Sequence, residues 1–444
     1  MTGQEPLFPP LASPIPDRAC YLGATHTFAR AALLAAARHI GLDALDEPLL
    51  LDLALMRIIE PASKLRSVEL IERYFGVHYR SSGIYERLPR FAMRKAEIEQ
   101  AAVAYAKEVR SSDLSLVLYD VTTLYFESFE ADELRVPGFS KDNKAQQPQI
   151  VVGLLVTREG FPLGYEVFKG NTFEGHTMLP VLESFARAHR VETPTVVADA
   201  AMLSRENTAT LAARGYAYIV GARLANASPS VIKKVSCALA RKDGKTVRIA
   251  TKHGDLVAAF SLKRYRKDKR EMDGQIRKAK ELVAGRKSGK RAKFVLKSKN
   301  EALTLDEPLI AKATLLLGVK GYYTNISREK LSDTEVIARY HDLWNVEASF
   351  RMAKSDLATR PIFHHKKDAI RAHVVVCFVA LLMGKTLELS SGLSLRRVRD
   401  LLWSITDAAI TDTVTGETFV LRSPMEHVIH SPIGKLLKKW GLSH

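Results

Sequence analysis

The feature of the sequence that most constrains the fold is a change in hydrophobic pattern at Ser115. From this point, short apolar runs that are typical of buried strands alternate with amphipathic helical segments. The first run ends at Asp120, the next two are joined by a turn at residues 158–160, and a fourth ends at Asp199. The order strand, hairpin, helix, strand, helix, strand predicts an α/β fold with a mixed sheet that has an antiparallel edge.

The chain on either side of this region has helical spacing. Apolar residues recur every three to four positions through residues 18–112, which predicts an all-helical N-terminal domain. Within it, residues 63–91 fit either a helix-turn-helix that binds DNA or a plain helical packing unit. The C-terminal region is also predicted to be helical.

The length of the chain implies more than one domain, since 444 residues exceed the ~250 to 300 that one hydrophobic core supports. The predicted units are a Pro-rich flexible leader (1–17), a helical N-terminal domain (18–112), the first part of the sheet domain (113–222), a basic insertion (223–317), the second part of the sheet domain (318–390) and a helical C-terminal region (391–444).

Cysteine content and hydropathy exclude several classes of protein. Cys20, Cys237 and Cys377 are far apart and form no Cys-x-x-Cys pair, so neither a disulfide framework nor a cysteine zinc site is expected. The apolar run at residues 374–383 is shorter than the ~20 residues of a membrane-spanning helix, and the N-terminus lacks a signal-peptide pattern. We therefore expect a cytoplasmic protein without a membrane partner.

The positive charge is concentrated in one segment. The chain carries +17, and residues 223–300 hold 24 Lys and Arg against 6 Asp and Glu, or +18, which leaves about −1 for the remaining 366 residues. Such a block is expected to bind a polyanion such as DNA, because neutralised phosphates release counterions. RNA or an anionic membrane would also be attracted, and a solvated surface insertion is the alternative. The hydrophobic pattern of this basic segment predicts a β-rich insertion with one helix near residues 273–285.

Two acids follow strongly apolar strands in the predicted sheet. Ligands of open α/β sheets bind at the carboxyl ends of strands, so Asp120 and Asp199 are placed to converge there. A pair of carboxylates is a typical ligand set for Mg²⁺ or Mn²⁺. For either acid considered alone, a strand-end turn or a helix cap is the more common explanation.

A third acid lies on a long predicted helix at residues 332–355, which begins with a capping box of Ser332 and Glu335. Tyr340, Glu347 and Lys354 follow one another at intervals of seven residues, so they share one stripe of that helix. An alternative for the middle residue is a surface ion pair with the arginine four positions later.

Three stretches of the sequence together carry a family resemblance. YHDLWNVEASFRMAK places Tyr340, Glu347 and Lys354 in the register of a Tyr-x2-Arg-x3-Glu-x6-Lys signature, and LYDVTTLYFES and VVADAAMLSREN are similar to the strands of the first and second acids. The chain, from about residue 50 to 402, thus resembles the DDE transposases of bacterial insertion sequences. More narrowly, it resembles the subgroup with this signature and a large insertion before the third acid. The resemblance implies an RNase H-like catalytic core.

The chain departs from the family pattern at two positions. Leu343 stands where the signature has Arg, and Ala201 stands where an Asp-x-Gly motif has Gly. Arginine holds phosphate with two hydrogen bonds, so its loss leaves Arg339 or Arg351 as substitutes for gripping DNA. The two departures also raise the alternative of a catalytically inactive copy that binds DNA.

The resemblance implies a mechanism and a set of partners. Asp120, Asp199 and Glu347 would hold two Mg²⁺ or Mn²⁺ ions, and Tyr340 and Lys354 would contact phosphates near the scissile bond. Water would cut at the ends of the element, and the freed 3′-OH would join that end to target DNA. Terminal inverted repeats and target DNA are the implied partners, with a homodimer bringing two ends together. A related nuclease or resolvase that hydrolyses without joining is the alternative.

Overall fold

The computed structural model describes residues 18–80, 83–140, 144, 146–191, 194–202, 204–285, 292–297 and 303–442, so the predicted leader lies outside the described residues. The strands are β1 (Ala19–Thr25), β2 (Leu116–Tyr125), β3 (Gln149–Val156), β4 (Pro162–Lys169), β5 (Thr195–Ala198), β6 (Tyr218–Ala222), β7 (Thr246–Thr251), β8 (Gly254–Phe260), β9 (Val295–Lys297), β10 (Leu303–Leu305), β11 (Val319–Thr324), β12 (Asp407–Asp412) and β13 (Thr418–Arg422).

The helices are α1 (Thr27–Ile40), α2 (Pro48–Ile59), α3 (Lys64–Phe75), α4 (Ile84–Met93), α5 (Lys95–Ala104), α6 (Met178–His189), α7 (Arg205–Ala213), α8 (Pro229–Leu239), α9 (Leu262–Val283), α10 (Glu307–Leu315), α11 (Asp333–His341), α12 (Trp344–Arg351), α13 (Lys367–Ser391), α14 (Leu395–Trp403), α15 (Glu426–Ile429) and α16 (Pro432–Lys439). Two π-helical turns, Tyr105–Val109 and Met352–Asp356, extend α5 and α12.

An eight-stranded mixed sheet forms the centre of the protein, in the order β4-β3-β2-β5-β6-β11-β8-β7. β2, β5 and β6 run parallel to one another, while the β3–β4 hairpin pairs antiparallel with β2 at one edge. This confirms the predicted α/β fold with an antiparallel edge. β3 is buried along its whole length, as expected for a continuous apolar run with both faces covered.

The N-terminal helices pack on the sheet domain and belong to the same cluster of buried apolar residues. α13 packs against α1, α2 and α4 as well as against β4. By length and composition α13 would qualify to cross a membrane, with a mean hydropathy of 1.7, but 89% of its most apolar stretch is buried inside the protein. A helix with this pattern has the character of a core helix of a folded domain.

Both terminal regions contain strands where only helices were predicted. β1 pairs with β12, and β12 pairs with β13, in a three-stranded antiparallel sheet. β1 and its partner β12 are separated by nearly the whole chain. β1 and β13 are largely exposed and β12 is only partly buried, so their hydrophobic spacing gives little sign of them. β12 and β13 are neighbours in sequence, but the partner of β1 is remote.

The basic insertion contains the predicted strands, but two of them extend the central sheet. β8 pairs with β11, and β7 covers β8 at the edge. The helix is longer than predicted: α9 begins at Leu262, where Ser261 caps it by accepting a hydrogen bond from the N–H of Arg264. Outside the sheet, Met272, Ala279 and Phe294 form a small second core. The described insertion holds more helix than strand.

The single long helix predicted over residues 332–355 is interrupted. α11 ends at His341, α12 begins at Trp344, and the chain then forms the π turn at Met352–Asp356. The predicted capping box is present at the start of α11, where Ser332 and Glu335 bond to each other's backbone N–H.

Candidate active site

Asp120 and Asp199 are neighbours across two parallel strands. The ladder between β2 and β5 ends with Tyr119 opposite Ala198, so the next residues in register are the two aspartates. Strands in a sheet lie about 4.8 Å apart, and residues in register point to the same face. β2 continues past Asp120 to Tyr125, contrary to the expectation that the acid ends its strand, because β3 still pairs with it there. The acid instead marks the point where β5 ends.

The row of residues continues across the sheet. Asp199 is next in register to Gly221 on β6, and Gly221 is opposite Tyr322 on β11. Gly221 has no side chain, and a Cβ there would lie 2.6 Å from the hydroxyl of Tyr340. Glycine at this position therefore lets Tyr340 pass over β6 and approach Asp199.

Tyr340 connects α11 to this row. Its hydroxyl donates a 3.3 Å hydrogen bond to Oδ1 of Asp199, and its ring packs against that of Tyr322 with the centroids 4.6 Å apart. Burial raises the pKa of Tyr340, and the negative charges of Asp199 and Glu347 add to the effect. The phenol is therefore a neutral donor, and α11 lies across the sheet face from which the aspartates project.

Lys354 lies in the π turn Met352–Asp356, which follows α12. It lines a cavity of about 50 Å³ together with Thr122 and Leu124 of β2 and Phe350 of α12. Residues 120, 122 and 124 alternate onto one face of the strand. Lys354 is thus over the face of β2 that carries Asp120.

Glu347 lies between Tyr340 and Lys354 along the chain, in the first turn of α12, and its side chain is exposed. α12 packs against β2 and β3. The buried hydroxyl of Ser349 donates to the carbonyl of Gly160 at 2.8 Å, and Asn345 donates to the carbonyl of Arg158 at 2.8 Å. These bonds hold α12 on the turn of the β3–β4 hairpin.

The carboxylates suit a divalent cation by their chemistry, because hard cations prefer oxygen ligands. Asp120 and Asp199 are adjacent, and Glu347 is near enough to influence Tyr340 and Lys320 electrostatically. Nevertheless, in the part of the chain that the structure describes, no three His, Cys, Asp or Glu side chains stand together as a metal site. The oxygen ligands of the three acids suit a divalent cation by their chemistry. Glu347, the third of them, lies on α12.

The remaining residues predicted to bind DNA are more dispersed. Arg351 is exposed at the end of α12. Arg339 is half-buried and lies near Asp113, before the start of β2, whose pKa is lowered mainly by hydrogen bonds from Ser115 and to a smaller extent by Arg339. The structure therefore places Arg339 toward the opposite end of β2 from Asp120.

The two departures from the family pattern have structural explanations. Leu343, in the position of the signature arginine, is 5% exposed and belongs to the hydrophobic core. Ala201 lies in the short helical turn Ala200–Met202 and is not among the residues with positive φ, so its backbone does not require glycine.

Sequence reasoning missed one cation at this site. Lys320, at the start of β11, has its ammonium 4.7 Å from the centroid of the Tyr340 ring and lines a cleft of about 710 Å³ with Asp199 and Arg264. The signal that could have found Lys320 is its position directly before the predicted strand GYYTNIS, at the sheet edge that carries the acids.

Comparison with known proteins gives a clear result for the family. Residues 111–383 match the family described as the transposase DDE domain, and these residues make up more than half of the chain. No curated protein matches the sequence. One solved structure that resembles the fold is the piggyBac transposase in a synaptic complex with hairpin DNA. It has 9% identity and a TM-score of 0.39, over 84% of this chain and 79% of that chain. On the strength of the domain match, the chain belongs to the DDE transposase family.

Proposed function

We propose that this transposase cuts DNA at the ends of a mobile element and joins those ends to target DNA, using Asp120, Asp199 and Glu347 as its catalytic carboxylates. The observation that carries the proposal is their arrangement. The β2–β5 register, continued one residue beyond its last pair, sets Asp120 beside Asp199. Tyr340 hydrogen-bonds to Asp199, and Lys354 lines a cavity with Thr122 and Leu124 of β2. Glu347 lies between Tyr340 and Lys354 along the chain, in the first turn of α12.

The carboxylates would hold divalent cations, Mg²⁺ or Mn²⁺. Bound there, two such ions would supply activation of the attacking oxygen and stabilisation of the leaving oxygen in an in-line displacement at phosphorus. Tyr340 keeps Asp199 oriented through its hydrogen bond. Lys354 is near the Asp120 face and is a suitable contact for a phosphate beside the scissile bond.

DNA is the proposed partner, gripped largely by the basic insertion. α9 carries a dense series of cations on its solvent-exposed surface, including Lys263, Arg266, Lys267 and Arg270. It borders the cleft that opens from Asp199, so a duplex following α9 would reach the carboxylates. We further propose terminal inverted repeats and target DNA as the two substrates, a homodimer that joins two ends, and a cytoplasmic, nucleoid-associated location.

The direct test is a strand-transfer assay. A supercoiled plasmid that carries the DNA flanking the gene is incubated with the protein and Mg²⁺, and the products are resolved on a gel and sequenced. We expect cut ends and joined products from the wild type, and neither from Asp120→Asn, Asp199→Asn or Glu347→Gln. Asp400→Asn, an exposed acid on α14, is the matched control and should behave as the wild type.

Each other outcome supports a different function. Nicked or linear products without joining would show a nuclease or resolvase. Cleavage that survives the carboxylate substitutions would remove these residues from catalysis. Binding to DNA with no cleavage by the wild type would indicate an inactive copy that retains only its DNA-binding surface.

A further inference from the structure

Lys320 stands out as a cation that the site as described does not use. It is half-buried on β11, at the edge of the sheet where β5 and β6 end, because the last pair of β11 with β6 is Gly321 opposite Ala222. In the described part of the chain its ammonium forms no ion pair. Its neighbours are two aromatic rings, Tyr340 at 4.7 Å and Tyr322 at 5.6 Å from their centroids.

Two tyrosine rings and two carboxylates surround the ammonium of Lys320. Tyr322 and Lys320 are two residues apart on β11 and thus share a face, and Tyr340 of α11 packs on that face. Burial and the nearby Arg264 lower the pKa of Lys320, whereas Asp199 and Glu347 attract the proton and oppose that shift. The ammonium is therefore close to both acids without being bound to either.

A half-buried ammonium that forms no direct ion pair is stabilised by an anion that contacts it. Arg264, its cationic neighbour, already pairs with Asp268 at 3.3 Å and lines the same cleft. The cleft opens at Asp199, so an anion entering it would meet Lys320 beside the proposed reaction centre. Among the anions that a DNA-cutting enzyme handles, a backbone phosphate is the one that must come to this place.

We infer that Lys320 binds a phosphate of the DNA strand at the scissile position, and that the rings of Tyr340 and Tyr322 hold its ammonium in place for this contact. The inference rests on the proposed function and adds a residue to it. Lys320 would thus approach the phosphate from the β11 side, whereas Lys354 is on the β2 side.

The first experiment measures DNA binding apart from cleavage. A fluorescent duplex copied from the DNA that flanks the gene is titrated in Ca²⁺ over a range of KCl concentrations. For Lys320→Gln we expect about a tenfold loss of affinity and a salt slope smaller by roughly 1, because one phosphate contact is lost. Lys320→Arg should retain both values. Lys435→Gln, an exposed lysine on α16, is the matched control and should equal the wild type.

The second experiment locates the contact. Replacing the phosphate at the cleavage point by a neutral methylphosphonate should weaken binding by the wild type and by Lys320→Arg, but not by Lys320→Gln, which has already lost the partner. Single-turnover cleavage by Lys320→Gln should fall about 10- to 100-fold, the range expected for a charge-assisted hydrogen bond. Thermal melting of each variant shows that it is folded.

The results separate this inference from the proposed function. A Lys320→Gln variant that melts normally and keeps the wild-type affinity and salt slope would overturn the role of Lys320, even if the wild type cuts and joins DNA. Equal weakening of all variants by the methylphosphonate would overturn it as well. Failure of the wild type to cut would count against the proposed function, while the binding experiments would still decide whether Lys320 holds a phosphate.

Discussion

The hydroxyl of Tyr340 donates a hydrogen bond to Asp199 across 141 residues of sequence, with the oxygens 3.3 Å apart. The bond ties the helix that precedes the third acid to the strand end that carries the second. Gly221 makes it possible by leaving the space that the tyrosine crosses. Substitution of Tyr340 therefore tests whether the orientation of Asp199 matters for the reaction.

Tyr340→Phe removes the hydroxyl and keeps the ring on Tyr322. We expect cleavage to fall about 3- to 10-fold, since one neutral donor to a carboxylate is lost, while the melting temperature changes little. Single-turnover cleavage and thermal melting measure the two effects. Tyr323→Phe, on the other face of β11, serves as the control. Equal activity of Tyr340→Phe and wild type would show that the hydrogen bond does not orient the acid.

Gly160→Ala tests how α12 is held. Gly160 has φ of +87°, and a Cβ there would lie 3.1 Å from Asn345 of α12. We expect a loss of about 1 to 3 kcal/mol in the free energy of unfolding, together with reduced cleavage because α12 carries Glu347. Gly416→Ala has a similar φ of +74° with nothing within 4 Å of the added Cβ.

The comparison of these two variants isolates the contact with α12 from backbone strain. Gly416→Ala should lose only about 1 kcal/mol of stability and keep full activity. Urea unfolding and the plasmid assay measure both quantities. If the two variants lose equal stability and retain equal activity, the hairpin turn does not position α12.

Leu343→Arg restores the residue of the family signature. Because Leu343 is buried in the core, the guanidinium would lose its hydration without a partner carboxylate designed for it. We expect the free energy of unfolding to drop by about 2 to 4 kcal/mol, with no gain in DNA affinity. Urea unfolding and duplex titration provide the measurements. Tighter DNA binding by a stable Leu343→Arg protein would contradict the buried placement.

Lys64 predicts a dependence of stability on pH. It is buried with its ammonium 3.4 Å from Nδ1 of His373, and burial, with a further contribution from Arg57, lowers its pKa from 10.5 to about 7. Between these two values the unfolded chain binds more protons at Lys64 than the folded chain does. Its contribution to stability therefore rises as the pH increases from about 7, by at most about 1.4 kcal/mol per pH unit.

Lys64→Met should remove this dependence. Below pH 7 both states of the wild type are protonated at Lys64, so the destabilisation is complete there, and the variant should gain most relative to the wild type at that end. Urea unfolding of both proteins from about pH 6.5 to pH 9 gives the difference. Lys435→Met, exposed on α16, should follow the wild type. A difference that does not vary with pH would show that Lys64 does not titrate in this range.

Divalent cations should stabilise the folded protein through the carboxylates. At a free Mg²⁺ concentration ten times the dissociation constant, the expected gain is about 1.4 kcal/mol. Asp120→Asn and Asp199→Asn should lose most of this gain, while Asp400→Asn should keep it. Thermal melting with Mg²⁺ and with EDTA measures the shift. An equal shift in all four proteins would place the bound metal elsewhere.

Much of the central sheet could be predicted from the sequence, because the information is local. Buried strands such as β3 are continuous apolar runs, and the turn after Val156 is marked by Arg158 to Gly160. The acids could be selected by their positions at the ends of such runs. In contrast, the pairing of β1 with β12 joins segments that are far apart in the chain.

The amino-acid sequence by itself indicated the strands and helices of the central sheet domain, the concentration of positive charge and the three candidate acids, because each is expressed within a few neighbouring residues. Only the tertiary structure decided which residues meet. Register across β2, β5, β6 and β11 sets Asp120 beside Asp199 and Asp199 beside Gly221, and it brings Lys320 to the same edge, while packing turned Leu343 inward. Such relationships depend on hydrogen-bonded pairing between distant segments and on the volume left by their side chains, which no local pattern records.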